Sequence, residues 1–174
     1  MPTSEQQSAS GGLKTRRGRP KMKDYGISGS AEGLLPWEVV VERLSGARNY
    51  WIGTTRPDGK PHAAPVWGIV LEQTFYFSTG RQSRKNRNLT ASPELVMHLE
   101  SGDDVVIIEG VAEEETDPTL LKNYAEAYQA KYQYKPDPSD PAAITYALRP
   151  HVVFAWLESS FPNSATRWDF DDES

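Results

Sequence analysis

The chain has 174 residues, a net formal charge of −5 and 37% hydrophobic residues, which suits one compact domain with polar ends. Cysteine is absent, so disulfides, thiolate metal sites and thiol nucleophiles are excluded. No stretch approaches the roughly 18 to 20 apolar residues of a membrane span, and the polar N-terminal segment has no apolar signal core, so a cytosolic protein is expected.

Residues 1–30 are rich in Ser, Gly, Lys and Arg and carry +4, against −9 for the remainder. With little to bury they cannot offset their ordering entropy, so a disordered basic arm is expected there, ahead of a folded domain over 31–174. In LPWEVVVERLSGA, the spacing of Trp37, Val40, Val41 and Leu44 predicts a short amphipathic helix. ARNYWIGTT and KPHAAPVWGIV flank the turn RPDG and predict a β-hairpin over 47–70. Pro61 and Pro65 donate no ladder hydrogen bond, so part of the second strand must lie at an edge or bulge, where a ligand can approach free backbone.

FYFST, residues 75–79, reads as a strand that breaks at Gly80, followed by a helical turn over 83–91 and further strands at 94–100 and 104–115. Asp117-Pro118 is an N-cap followed by proline at the first helical position, opening a helix to Tyr132 with Leu121, Tyr124, Ala125 and Tyr128 on one face. Strands at 143–148 and 151–158 flank an Arg149-Pro150 corner. Antiparallel hairpins with one inserted helix predict an α+β barrel, and no Gly-rich βαβ repeat supports a doubly wound sheet.

The chemistry concentrates in FYFSTGRQSRKNRNL, residues 75–89. The strand delivers Ser78 and Thr79, Gly80 permits a turn, and Ser83, Arg84 and Lys85 open a helix whose unpaired N–H groups can receive a phosphate dianion. Arg84 can grip two oxygens in a fork, while Lys85 acts as a point charge. The other reading is a solvated surface turn in which Arg81, Arg84, Lys85 and Arg87 bind nothing.

WIGTTRPDGKPHAAPVWG, FYFSTGRQSRKNRNL and SATRW, in that order, make the chain resemble the pyridoxamine 5'-phosphate oxidase-like superfamily of flavin and deazaflavin oxidoreductases over residues 34–170, its actinobacterial deazaflavin-dependent branch above all. The resemblance implies a homodimeric split β-barrel with the cofactor lodged between subunits. By position in the motifs it assigns His62, Ala63, Ala64, Pro65, Val66 and Trp67 to the strand along the cofactor's ring and ribityl chain, and Ser78 and Thr79 to the next strand's contacts. Ser83, Arg84 and Lys85 match the phosphate grip, with Asn88 nearby, and His98, Arg167 and Trp168 match outlying contacts. Ala64-Pro65 stands where the oxidases carry a basic residue, which argues against pyridoxamine phosphate oxidation itself.

On this resemblance the expected activity is hydride transfer between coenzyme F420 and an unsaturated small-molecule substrate. FMN on the same scaffold, or flavin or haem binding without turnover, are the alternatives. No side chain is singled out as catalytic, because the cofactor carries the chemistry. The three histidines lack the carboxylate spacing of a metal site. His62 and His98 read either as ligand contacts or as satisfied strand histidines. The tyrosines of the long helix read as packing, Trp51 as core, and Trp67 as core or cofactor wall. A rival partner is A·T-rich DNA, since Arg17-Gly18-Arg19-Pro20 resembles an AT-hook that enters the minor groove.

Overall fold

The computed structural model describes residues 6–8 and 14–171. Its framework is antiparallel: β1 (Gln6–Ser8), β2 (Lys14–Gly18), β3 (Tyr50–Thr55), β4 (Pro61–Val66), β5 (Gly68–Leu71), β6 (Thr74–Gly80), β7 (Glu94–His98), β8 (Asp104–Glu114), β9 (Ala143–Leu157) and β10 (Thr166–Phe170). Three helices join it: α1 (Trp37–Gly46), α2 (Arg84–Ala91) and α3 (Pro118–Tyr132). One path of neighbours runs β1-β2-β10-β9-β8-β7-β3-β4, while β5 pairs with β6 and β6 with β9. The chain passes from β4 to β5 at Trp67, exchanging β3 for β6 as ladder partner. The circuit is therefore interrupted at that residue, giving an α+β split barrel with one long inserted helix.

The corner expected at Arg149-Pro150 does not end a strand. Both halves belong to the single 15-residue β9, and the register shifts beside the proline: Glu109 and Gly110 of β8 pair with Val152 and Pro150, which leaves His151 of β9 without a partner in the register. Proline offers no N–H, and a bulge in β9 itself, with His151 as the extra residue, absorbs the mismatch. The β5–β6 turn is also sharper than composition indicates. Glu72 and Gln73 have φ of 47° and 68°, the left-handed geometry of a two-residue hairpin turn. Trp37 Nε1 donates to Gln73 Oε1 at 2.8 Å, tying that turn to α1.

Strand alternation builds two cores. Phe75 and Phe77 of β6 face the barrel interior with Tyr50, Ile52, Met97, Ile108 and Leu148, while Tyr76 faces outward with Tyr124, Tyr132 and Ala147 beneath α3. The side chain of Asp117 caps α3, accepting from the N–H groups of Thr119 and Leu120 at 2.8 and 2.9 Å. The stripe Tyr124, Tyr128 and Tyr132 packs on the second core, with centroid spacings of 5.5 and 4.8 Å. No helix among the described residues is long and apolar enough to cross a membrane.

The arm differs from expectation where it is described. Residues 14–18, read from composition as part of a disordered segment, pair with β10 as β2. Arg19 then donates to the carbonyl oxygens of Ser30, Glu32, Asn163 and Ala165, and Pro20 is buried. A charged donor satisfying four backbone acceptors offsets ordering entropy that apolar burial alone would not. Gln6–Ser8 pair in turn with β2, and residues 1–5 and 9–13 of the segment lie outside the described residues.

Burial lowers the Lys131 ammonium from 10.5 to about 8. Its Nζ lies 2.7 Å from the Tyr50 hydroxyl and 3.2 Å from the Gly68 carbonyl. Below pH 8 both folded and unfolded chains hold this proton and the burial cost is undiminished. Between about 8 and 10.5 the folded chain releases it first, so stability rises with pH. Burial also pushes Tyr50 and Tyr124 up, and Tyr128 to about 12, so these tyrosines oppose stability only above about pH 10, where unfolded tyrosines ionise. The thermal midpoint should therefore rise relative to Lys131→Met between pH 7.5 and 9.5; parallel curves for the two proteins would refute the assignment.

Candidate functional site

Ser83 begins α2 as its N-cap: its hydroxyl accepts from Asn86 N–H at 3.1 Å and lies 2.9 Å from Thr79 Oγ1. Gly80 provides the Ser83 N–H with an acceptor carbonyl at 2.9 Å. The strand end and the helix start are thus one bonded unit, and Arg84 and Lys85 occupy the first helical turn. The Asn86 side chain ties the unit from the far side, donating to Arg81 O at 2.5 Å and accepting from Tyr146 at 2.6 Å.

The β3–β4 hairpin brings further groups to the same place. His62 lines a groove of about 590 Å³ that also includes Gly53, Thr54, Ala63, Val96, Glu94 and Glu109, within the range of small-ligand pockets. Burial lowers the His62 imidazolium first, and the nearby charges of Arg56, Lys85 and Arg84 lower it further. Three cations therefore converge on one neutral ring. Arg56, Arg84 and Lys85 have no ion-pair partner among the described residues, and Arg56 Nε is buried without a hydrogen-bond partner. By contrast, Arg81 is neutralised by Glu114 at 2.7 Å, and Arg149 by Glu113 at 2.9 Å. Clustered, uncompensated cations at a helix start form a standing electrostatic demand for an anion.

The residues assigned from the motifs separate into groups. His62, Thr79, Ser83, Arg84, Lys85 and Asn88 gather around the helix start, Asn88 fully buried and donating to Thr54 Oγ1 at 2.9 Å. Ala63 and Pro65 pair with Gly53 and Trp51 on the outer sheet face, whereas Ala64 pairs with Ile52 on the inner face and Val66 is core. Ser78 alternates away from Thr79: its hydroxyl lies 3.0 Å from that of Tyr124 and 2.8 Å from Thr145 Oγ1, beneath α3. Trp67 stacks on Tyr132 with centroids 4.6 Å apart and receives Arg48 over its ring at 5.3 Å.

His98 stacks on Trp51, and its Nδ1 lies 2.8 Å from Leu99 O. Arg167 grips Asp169 and lies over the Phe154 ring, while Trp168 is core, edge-on to Trp37. Within the protomer none of these three bonds to the helix-start cluster. The arginines of the AT-hook-like tract are likewise engaged inside the fold, Arg17 reaching Leu35 O at 3.5 Å and Arg19 its four carbonyls. That packing withdraws Arg19 from the extended presentation minor-groove entry needs. Arg56 and Thr54 were missed by motif reading. The hairpin register was the available signal, since it pairs Thr54 with His62 and sets Arg56 at the adjoining turn.

Ser78→Ala should cost about 1 kcal/mol in denaturant unfolding, the net worth of a typical hydrogen bond, because it removes the polar contacts to Tyr124 and Thr145. Ligand affinity should remain within about twofold, a difference near 0.4 kcal/mol. A large loss of affinity at unchanged stability would place Ser78 in the site instead.

Comparison with known proteins agrees with this architecture. The family model described as pyridoxamine 5'-phosphate oxidase matches residues 37–157. Among solved structures, a conserved hypothetical protein from Mycobacterium tuberculosis aligns with TM-score 0.66 at 22% identity, over 76% of this chain and 91% of that one. An F420 reductase aligns with TM-score 0.52 at 21% identity, over 64% and 94% of the two chains. A heme binding protein from Mycobacterium smegmatis aligns with TM-score 0.59 at 18% identity, over 77% of this chain and 56% of that one. No curated protein matches in sequence. With a split barrel of this topology and a family match over most of its length, the chain belongs to the pyridoxamine 5'-phosphate oxidase family.

Proposed function

We propose that this protein binds coenzyme F420 and transfers a hydride between it and an unsaturated organic substrate. The observation that carries the reading is the set of three cations, Arg56, Arg84 and Lys85, around His62 with no carboxylate partner among the described residues. The donor set fits a phosphate-bearing cofactor: a forked guanidinium, an ammonium, the first-turn N–H groups of α2 and a buried Nε still lacking an acceptor. FMN satisfies the same grip and is the nearest alternative; the haem-binding fold relative keeps non-catalytic binding as a further alternative. The F420 reductase among the fold relatives supports the deazaflavin. Exposed Arg84 and Arg87 provide charge for its oligoglutamate tail, whereas Arg81 is already committed to Glu114.

When bound, the cofactor supplies the hydride chemistry. The protein's part is to bind and orient. Gly53, Ala63 and Val96 form a low apolar floor along the groove, suited to a planar ring, and a floor without polar side chains limits water at the reacting face. His62 adds a polar group beside the phosphate grip. We further propose a homodimer across the outer sheet face, where Trp51, His98, Phe154 and the 38%-exposed Val96 lie on adjoining strands. The basic arm is assigned no DNA role in this reading.

Purified protein titrated separately with F420, FMN and haem, followed by fluorescence or absorbance, should bind the deazaflavin most tightly. Failure of all three at micromolar concentration would sink the proposal, and binding of haem alone would remove hydride transfer. Arg84→Ala and Lys85→Ala should each weaken the preferred cofactor by roughly 10-fold to 100-fold, the worth of a charge-assisted hydrogen bond, with unchanged melting. Unaltered affinity in both would return the segment to a solvated turn. For the assembly, sedimentation should show a dimer in the wild type and a monomer in Val96→Arg; two monomers would refute the interface.

A further inference from the structure

The groove contains one polar chain that the phosphate grip does not use. Asn88 of α2 is fully buried, and its Nδ2 donates to Thr54 Oγ1 at 2.9 Å. Thr54, itself 5% exposed, lies opposite His62 in the β3–β4 register, and its Oγ1 is 3.4 Å from His62 Nδ1. A threonine hydroxyl has one proton to give. With Thr54 Oγ1 accepting from Asn88, its own proton is free to be given to His62 Nδ1, and an Nδ1 that accepts holds the ring proton on Nε2.

Charge around the ring acts in the same direction. The groups facing it are Arg56 from the β3–β4 turn and Arg84 and Lys85 from the start of α2, all cationic. They disfavour the imidazolium, so the ring stays neutral and its tautomer matters. With Nδ1 turned to Thr54, Nε2 is the nitrogen left for the groove.

We propose that Thr54 and Asn88 are positioning residues that hold His62 as the Nε2–H tautomer, making the ring a fixed hydrogen-bond donor to the phosphate-bearing ligand. This rests on the proposed reading of the groove as a cofactor site, and it adds how the site chooses its ligand. Arginine, lysine, helix N–H groups and a donor-locked histidine present donors to the ligand, while the groove's carboxylates, Glu94 and Glu109, stand on β7 and β8. Such a set recognises an acceptor-only group, an ionised phosphate ester, and discriminates against one that must itself donate.

The test is nitrogen-detected NMR on the ligand-free full chain at pH 8, with histidines labelled and His62 assigned by a His62→Gln variant. The ring proton is expected on Nε2 in the wild type and in Thr54→Ser, which keeps the hydroxyl. In Thr54→Val, with the fold checked by its amide spectrum, a mixture of the two tautomers is expected. A wild-type proton on Nδ1, or a Thr54→Val spectrum unchanged from wild type, would overturn the proposal. Should Thr54→Val not fold, Thr54→Ala takes its place with the same expected mixture and the same refuting result. Adding FMN or F420 separates the two readings: binding should slow exchange of the Nε2 proton at least several-fold. Binding that leaves this proton unaffected refutes its role as donor, whereas failure of both cofactors to bind refutes the cofactor reading and leaves the tautomer measurement standing.

Discussion

Gly110 stands directly against the carbonyl of Arg149, so close that a Cβ there would collide with main chain. The architecture depends on that contact. It lets β9 carry Pro150 through the middle of a ladder without ending, with the mismatch taken up by the extra residue His151 of β9 opposite the Glu109–Gly110 step. Because β9 survives, its first half can pair with β6 and its second half with β10, while β8 follows both. One continuous strand thus fixes the helix-bearing half of the barrel relative to the half that receives the arm. Without the bulge the two halves would hold no common register.

The groove follows from this framework. β6 is held by β9 along residues 75–80, so its end and the cap of α2 are set by a buried ladder rather than by a loop. β3 is held between β4 and β7, which fixes the floor at Gly53 and the Thr54–His62 pair. Asn88 joins the two halves through one buried side-chain bond. Positioning on strands and a capped helix pre-organises the proposed anion site, so that ligand affinity is not spent on loop ordering.

The α3 side shows how the same strand serves two purposes. Alternation along β6 sends Thr79 to the helix start and Ser78 beneath α3, where it meets Tyr124 and Thr145. Trp67, 37% exposed, stacks on Tyr132 at the margin of that second core and also marks the chain's change of ladder partner. Motif matching groups neighbours in sequence. Pleating then divides them between faces.

Hydrophobic periodicity, Asp117-Pro118, Gly80 and the prolines of the second strand were sufficient to determine the α+β class, the long helix and the short helix that starts after Gly80, because these signals are local in backbone chemistry. The family motifs narrowed the expected ligand to a redox cofactor. Tertiary structure decided the rest. Composition marks residues 14–18 as disordered, yet pairing with β10 and four carbonyls gathered from distant segments around Arg19 hold the region in place. The convergence of Arg56 with Arg84 and Lys85, and the chain from Asn88 through Thr54 to His62, likewise span residues far apart in sequence. Charge compensation and hydrogen-bond direction depend on distances through space, and local sequence pattern does not specify those distances.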